Sequence, residues 1–119
     1  MCGYAGILAD PNASQLLESS TLVDTMCRAM IARGPDAEGR WQDESRGVAI
    51  GHQRLSIVDL DARSNQPFVS ACKKYVIAYN GEIYNYKELR TSLTDSGYVM
   101  ETESDTEVLL NLFIRDGKA

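Results

Sequence analysis

Met1-Cys2-Gly3-Tyr4-Ala5-Gly6-Ile7-Leu8-Ala9 opens the chain with small and apolar residues and no charged side chain. Glycines among short side chains suit a strand buried close against another backbone. Asp10-Pro11-Asn12 ends it, since Pro fixes φ and Asn favours turns. Beyond it, Leu16, Val23, Met26, Cys27, Met30 and Ile31 recur at spacings of three, four and seven. That spacing predicts an amphipathic helix over 15–33. Gly34-Pro35 should stop the helix, because Gly accepts a left-handed cap and Pro cannot continue.

Working outward, extended segments are expected at 39–42, 47–52 and 54–60, the last with Leu55, Ile57 and Asp59 on one side. Asp61 to Gln66, closed by Pro67, reads as a loop. Tyr75 to Tyr79 is a β-rich run entering Asn80-Gly81, a dipeptide that favours positive φ and a tight turn or hairpin. Residues 87–96 read as a helix closed by Gly97. Ser104-Asp105-Thr106-Glu107 has the form of a capping box for a last helix, with Val108, Leu109, Leu112 and Phe113 as its apolar face. The order strand, helix, strands, hairpin, helix, helix is α+β and not alternating βαβ.

The 119 residues allow one domain and leave no room for a second catalytic one. Twelve basic against 17 acidic side chains give a net charge of −5, which argues against a nucleic-acid binder. No apolar run approaches the roughly 20 residues needed to span a bilayer, and no secretory leader is visible. Cys2, Cys27 and Cys72 are an odd, scattered set, so neither a disulfide framework, nor a structural zinc site, nor any other metal site is expected. A cytoplasmic location follows as the default.

Cys2 carries the most chemical information. Removal of Met1 would leave it with a free α-amine, titrating near about 7.7–8.0, beside a thiol near about 8.5. One residue would then hold both nucleophile and base, with no histidine needed. On its own terms Cys2 reads first as a small residue opening a strand, and Asn80-Gly81 as a plain tight turn. His52, the sole histidine, reads as structural. Cys27 falls on a helix face and Cys72 in a loop, and both read as ordinary thiols.

Six segments in order alter that balance: residues 1–8, Arg33-Gly34-Pro35-Asp36, Gly51-His52-Gln53-Arg54-Leu55-Ser56-Ile57-Val58-Asp59-Leu60, Gln66-Pro67-Phe68, Tyr79-Asn80-Gly81-Glu82-Ile83-Tyr84-Asn85 and Ser104-Asp105-Thr106-Glu107. Together they resemble the class II glutamine amidotransferases, within the N-terminal nucleophile hydrolases, and specifically the glutamine-hydrolysing asparagine synthetase branch. The resemblance implies that Cys2 attacks the side-chain amide of glutamine, while the Asn80 side chain and the Gly81 N–H form an oxyanion hole. It assigns Arg54 to the substrate α-carboxylate and Asp105 to its α-ammonium. Glu82 assists at the amino-acid end, and the backbones of Leu55 and Ile57 line the pocket, their side chains reading first as core. The Arg33–Asp36 segment is a structural turn bearing on that pocket.

The fold so implied is a four-layer αββα sandwich with antiparallel sheets. Residues 1–119 would be the N-terminal portion of the amidotransferase domain, its later strands missing. The segment would need no cofactor itself. Its partner would be an ATP-pyrophosphatase-type synthetase domain, absent here, that binds ATP and magnesium and amidates aspartate. A homodimer is compatible with these expectations. Rival readings are a truncated non-catalytic module, a hydrolase of another amide, and an amidotransferase serving another acceptor such as a cell-surface sugar acid.

Overall fold

Strand β1 (Gly3–Leu8) lies antiparallel to β3 (Val48–Arg54), which pairs on its other side with β2 (Ala37–Asp43), giving the order β1-β3-β2. Gly3 faces Gln53 and Leu8 faces Val48 across the first pair, and Ala37 faces Arg54 across the second. The computed structural model describes residues 1–10, 16–57 and 59–117. The turn expected at Pro11-Asn12, and the first residue of the expected helix, Gln15, lie outside them. Helix α1 (Leu16–Ala29) covers one face of this sheet, where Val23, Cys27 and Ala49 form a buried cluster flanked by Ala5, Ile7 and Met30. Only glycine fits at position 51, since a Cβ there would stand 2.4 Å from the Cys27 sulfur.

The opening strand is buried on one face only: Tyr4 and Leu8 point away from α1 and are exposed. Met26 and Ile31, expected in the apolar face of the helix, are also exposed. The α-helix ends at Ala29, four residues before Arg33, and a single 3₁₀ turn over Ile31–Arg33 replaces its last turn. Gly34 is not in the left-handed region. Its role is close approach, because a Cβ would lie 2.4 Å from the carbonyl carbon of Gln53 and 2.6 Å from the nitrogen of Arg54. The β2–β3 turn is held by Asp43, whose carboxylate accepts from Ser45 Oγ at 2.6 Å and Arg46 Nη1 at 2.7 Å.

A second, two-stranded antiparallel sheet joins β4 (Phe68–Val69) to β5 (Val76–Ile77). The hairpin therefore turns at residues 70–75, upstream of Asn80-Gly81, and Gly81 is not among the glycines of positive φ. What requires glycine there is again space: a Cβ would meet the Tyr79 hydroxyl oxygen at 2.5 Å. Residues 55–57 and 59–60 form no strand either, and Val58, part of the same expected segment, lies outside the described residues. Leu55 N–H goes to the Cys2 sulfur and Ser56 N–H to Asp36 Oδ2, so neither is available to a ladder. Ile57, expected in the core, is 72% exposed, and Leu60 is 81% exposed.

Helix α2 (Tyr86–Asp95) packs against α3 (Asp105–Asp116). Gly97, at φ 90°, ends α2, with Tyr98 N–H reaching Leu93 O at 3.0 Å and Gly97 N–H reaching Thr94 O at 2.9 Å, a Schellman motif. Ser104 Oγ caps α3 through Thr106 N–H at 3.0 Å. The reciprocal half of the capping box does not form. Buried Glu107 instead reaches past Ser104 to accept from the N–H groups of Glu101 (2.8 Å) and Thr102 (2.7 Å) and from Thr102 Oγ1 (2.6 Å). Val108 is buried as expected, joined by Leu110, whereas Phe113 is exposed and meets Tyr75 edge-on at 6.1 Å. Among the described residues no helix is long and apolar enough to cross a membrane.

Candidate active site

The start of β1 and the end of β3 meet at Cys2. Its sulfur accepts from Leu55 N–H at 3.3 Å and its thiol faces Leu55 O at 3.6 Å. Arg33 Nε donates to Cys2 O at 3.3 Å, so the turn before β2 grips the residue from a second side. Asp36 of that turn takes Ser56 N–H at 2.8 Å. Thus the Arg33–Asp36 turn positions both Cys2 and the stretch that follows β3. Half-buried Cys2 opens into a cavity of about 330 Å³, within the usual size range of small-molecule sites.

Arg54 ends β3 and is buried. Its Nη1 donates to Asp61 O at 3.0 Å and to Asn65 Oδ1 at 2.7 Å, and its Nη2 donates to Asp59 O. A guanidinium has five N–H donors. Three are held by the 59–65 loop, and two, at Nε and Nη2, have no partner among the described residues. The loop thus fixes the plane of the fork and leaves one edge for an anion.

Across the cavity, Asp105 begins α3 and is buried. Its Oδ2 accepts from Ile83 N–H at 3.0 Å, tying the helix start to the 80–85 segment. The Tyr79 ring lies over Gly81. Burial pushes the Tyr79 phenol up, and the nearby carboxylates of Asp105 and Glu82 push it further in the same direction. Cys2, Arg54, Leu55, Ile57, Asn80, Gly81, Glu82 and Asp105 all line this one cavity. Every residue that the sequence put forward is therefore brought together.

Several lining residues carried no expectation of a role. Gln66 is buried, with Oε1 accepting Tyr79 N–H at 2.5 Å and Nε2 donating to Thr106 Oγ1 at 3.1 Å. It links the 78–81 segment to the first turn of α3. Asp59, Ser64, Tyr79 and Ser104 also reach the cavity wall. The Gln66-Pro67 pair and the segment opening at Tyr79 were visible signals; Ser64 offered none. His52 lies fully buried beneath, with Nε2 3.3 Å from Tyr79 O, and burial favours the neutral form of its imidazole. Cys27 is buried on the sheet-facing side of α1, where burial pushes its thiol up, and Cys72 is exposed in the β4–β5 turn. Among the described residues no group of three His, Cys, Asp or Glu side chains could hold a metal ion.

A thiol, a preset guanidinium edge, a buried carboxylate and an Asn-Gly backbone around one small cavity suit a free amino acid with a reactive side chain. Asparagine synthetase [glutamine-hydrolyzing] 1 of Bacillus subtilis is 42% identical over 92% of this chain and 17% of its own length. Asparagine synthetase [glutamine-hydrolyzing] of Sandersonia aurantiaca is 35% identical over 100% of this chain and 21% of its own. Amidase chry2 of Gibberella zeae is 32% identical over 95% of this chain and 18% of its own. The chain thus spans about a fifth of the length of these curated relatives. The sequence profile described as the glutamine amidotransferase domain matches residues 1–119, and the chain belongs to that family.

Proposed function

We propose that this domain hydrolyses the side-chain amide of L-glutamine to L-glutamate and ammonia, with Cys2 as the nucleophile. The observation that carries the reading is the convergence of Cys2, Arg54, Asn80, Gly81 and Asp105 on one cavity. Met1 is exposed and lines the same space, so its removal would free the Cys2 amine and widen the opening over the thiol. That amine takes the thiol proton as sulfur attacks the amide carbon, then passes it to the departing ammonia. Water adds to the resulting thioester and releases glutamate. The Asn80 side-chain N–H and the Gly81 backbone N–H donate to the oxyanion of each tetrahedral intermediate.

The free edge of Arg54 takes the α-carboxylate, Asp105 takes the α-ammonium with Glu82 beside it, and Leu55 and Ile57 form the wall. Ammonia released into water is protonated and stops being a nucleophile. We infer that the domain delivers it to a synthetase domain of the full protein, in the cytoplasm, where ATP and magnesium activate aspartate for conversion to asparagine. The relatives named asparagine synthetases support this acceptor. The two antiparallel sheets and three α-helices of the described residues would then be the N-terminal part of a four-layer αββα sandwich.

The test compares the full-length protein with Cys2→Ala. Glutamine hydrolysis should vanish in the variant while synthesis from added ammonia persists. Glutaminase activity persisting in Cys2→Ala would overturn the assignment.

A further inference from the structure

Asp59 sits in the loop after β3 and touches both halves of the site. Its Oδ1 accepts Asp61 N–H at 2.8 Å, and its Oδ2 accepts from Ser64 Oγ and from Glu103 N–H at 2.9 Å. Its own main-chain oxygen is one of the three acceptors that hold Arg54. The first two contacts fold residues 59–65 into the cradle whose other acceptors, Asp61 O and Asn65 Oδ1, also face Arg54. The third crosses 44 positions of sequence to the segment that ends in Asp105. Burial pushes the Asp59 carboxyl up, but Ser64, Asp61 and Glu103 outweigh it and hold it below the ordinary range. It therefore stays charged, and charge-assisted acceptance makes each of these bonds stronger than a neutral one.

An α-amino acid carries its carboxylate and ammonium on a single carbon. Two groups that read those charges must therefore be held at one separation, to a fraction of an ångström. Arg54 stands at the end of a strand and Asp105 at the start of a helix, with no shared ladder between them. The Asp59 carboxylate joins the two supports directly. We propose that Asp59 is a positioning residue that sets the spacing between Arg54 and Asp105, and so makes the site selective for substrates bearing both α-charges. The proposal rests on the assignment of Arg54 and Asp105 as the amino-acid clamp. Asp59 acts through the loops, since both its oxygens are already engaged inside the protein.

The experiment uses the full-length protein and two substrates, L-glutamine and glutaramate, which keeps the amide and carboxylate but lacks the α-ammonium. Asp59→Asn places an amide N–H₂ against a donor that the carboxylate had accepted. It should raise KM for glutamine about tenfold or more, lower kcat far less, and lower the preference for glutamine over glutaramate about tenfold. Ser64→Ala removes one donor to the same carboxylate and should shift both quantities in the same direction by less. Alkylation of Cys2 by iodoacetamide, which needs no clamp, should keep its rate within about twofold in both variants, which a general loss of folding would not allow. Asp105→Asn separates the two levels. If it lowers the preference while Asp59→Asn and Ser64→Ala leave it unchanged, the positioning role is overturned and the clamp stands. If Asp105→Asn also leaves the preference unchanged, the clamp assignment falls and the positioning role falls with it.

Discussion

The His52 imidazole meets the main-chain oxygen of Tyr79 at 3.3 Å and fastens the segment carrying Asn80 and Gly81 to the central strand of the larger sheet. Gln66 takes the N–H of the same residue. Both backbone polar groups of Tyr79 are thus satisfied by buried side chains, one from β3 and one from the loop before β4. With Nε2–H donating to the carbonyl, Nδ1 is a bare acceptor, and it has no partner among the described residues. A neutral ring suits this setting, whereas a charged one would leave a buried N–H unmet.

That arrangement predicts a pH dependence of stability. Burial depresses the His52 pKa below its ordinary value of 6.5. The unfolded state therefore binds the proton more readily, and ΔG of unfolding falls as pH drops through the window below about 6.5. Above that window the contribution is fully present. His52→Gln keeps a donor for Tyr79 O and has no titrating ring. Urea unfolding at pH 7.5 and 5.5 should show a larger loss for the wild type than for His52→Gln. Equal losses would mean that other groups set the slope.

The site was more legible in the sequence than the elements that carry it. Cys2, Arg54, Asn80 and Asp105 sit in short motifs with strong side-chain chemistry, and they share a cavity. The stretch 54–60 misleads because Leu55 and Ile57 alternate as in a strand, yet their neighbourhood is organised by side chains from Cys2, Asp36 and Arg54 that no periodicity reveals. Asn80-Gly81 misleads differently. A dipeptide that tolerates positive φ also serves where a ring must lie close to the backbone, and Tyr79 beside Gly81 is that case. Glu107 has the spacing of a capping box, but three donors from residues 101–102 compete successfully for its carboxylate. Contacts such as that of Leu55 with Cys2 join segments distant in sequence and leave no local trace.

Glycine substitutions test whether close approach, not φ, governs the turn beside Cys2. Gly34→Ala would drive a methyl into the backbone of Gln53 and Arg54 at 2.4–2.6 Å, where no side-chain rotation can relieve it. We expect a loss of about 1–3 kcal/mol in stability. The shift at Arg54 should also raise KM for glutamine. Gly6→Ala is the control, since its Cβ would find only an ordinary contact at 3.5 Å. It should be neutral or stabilising by about 0.5–1 kcal/mol. Unfolding midpoints and glutamine KM of the two variants check both expectations, and equal tolerance at both positions would contradict them.

Arg54→Lys is the sharpest test of the guanidinium edge. In the wild type, three donors hold the 59–65 loop and two are left over on one edge. A lysine ammonium has only three donors, all from one atom, and cannot satisfy the loop and face a carboxylate at once. If it serves the loop, the substrate loses its partner; if it serves the substrate, Asp59 O, Asp61 O and Asn65 Oδ1 go unmet. Charge is preserved in either case, so any effect reports geometry. Losing a desolvated charge partner costs about 2–5 kcal/mol, which corresponds to a KM for glutamine raised about thirtyfold or more. Alkylation of Cys2 by iodoacetamide in the same variant should keep its rate, because that reagent has no carboxylate to place. Steady-state hydrolysis and alkylation rates, measured side by side on the full-length protein, decide the matter. A KM unchanged in Arg54→Lys would mean that the guanidinium only supports the loop and that the carboxylate is read elsewhere.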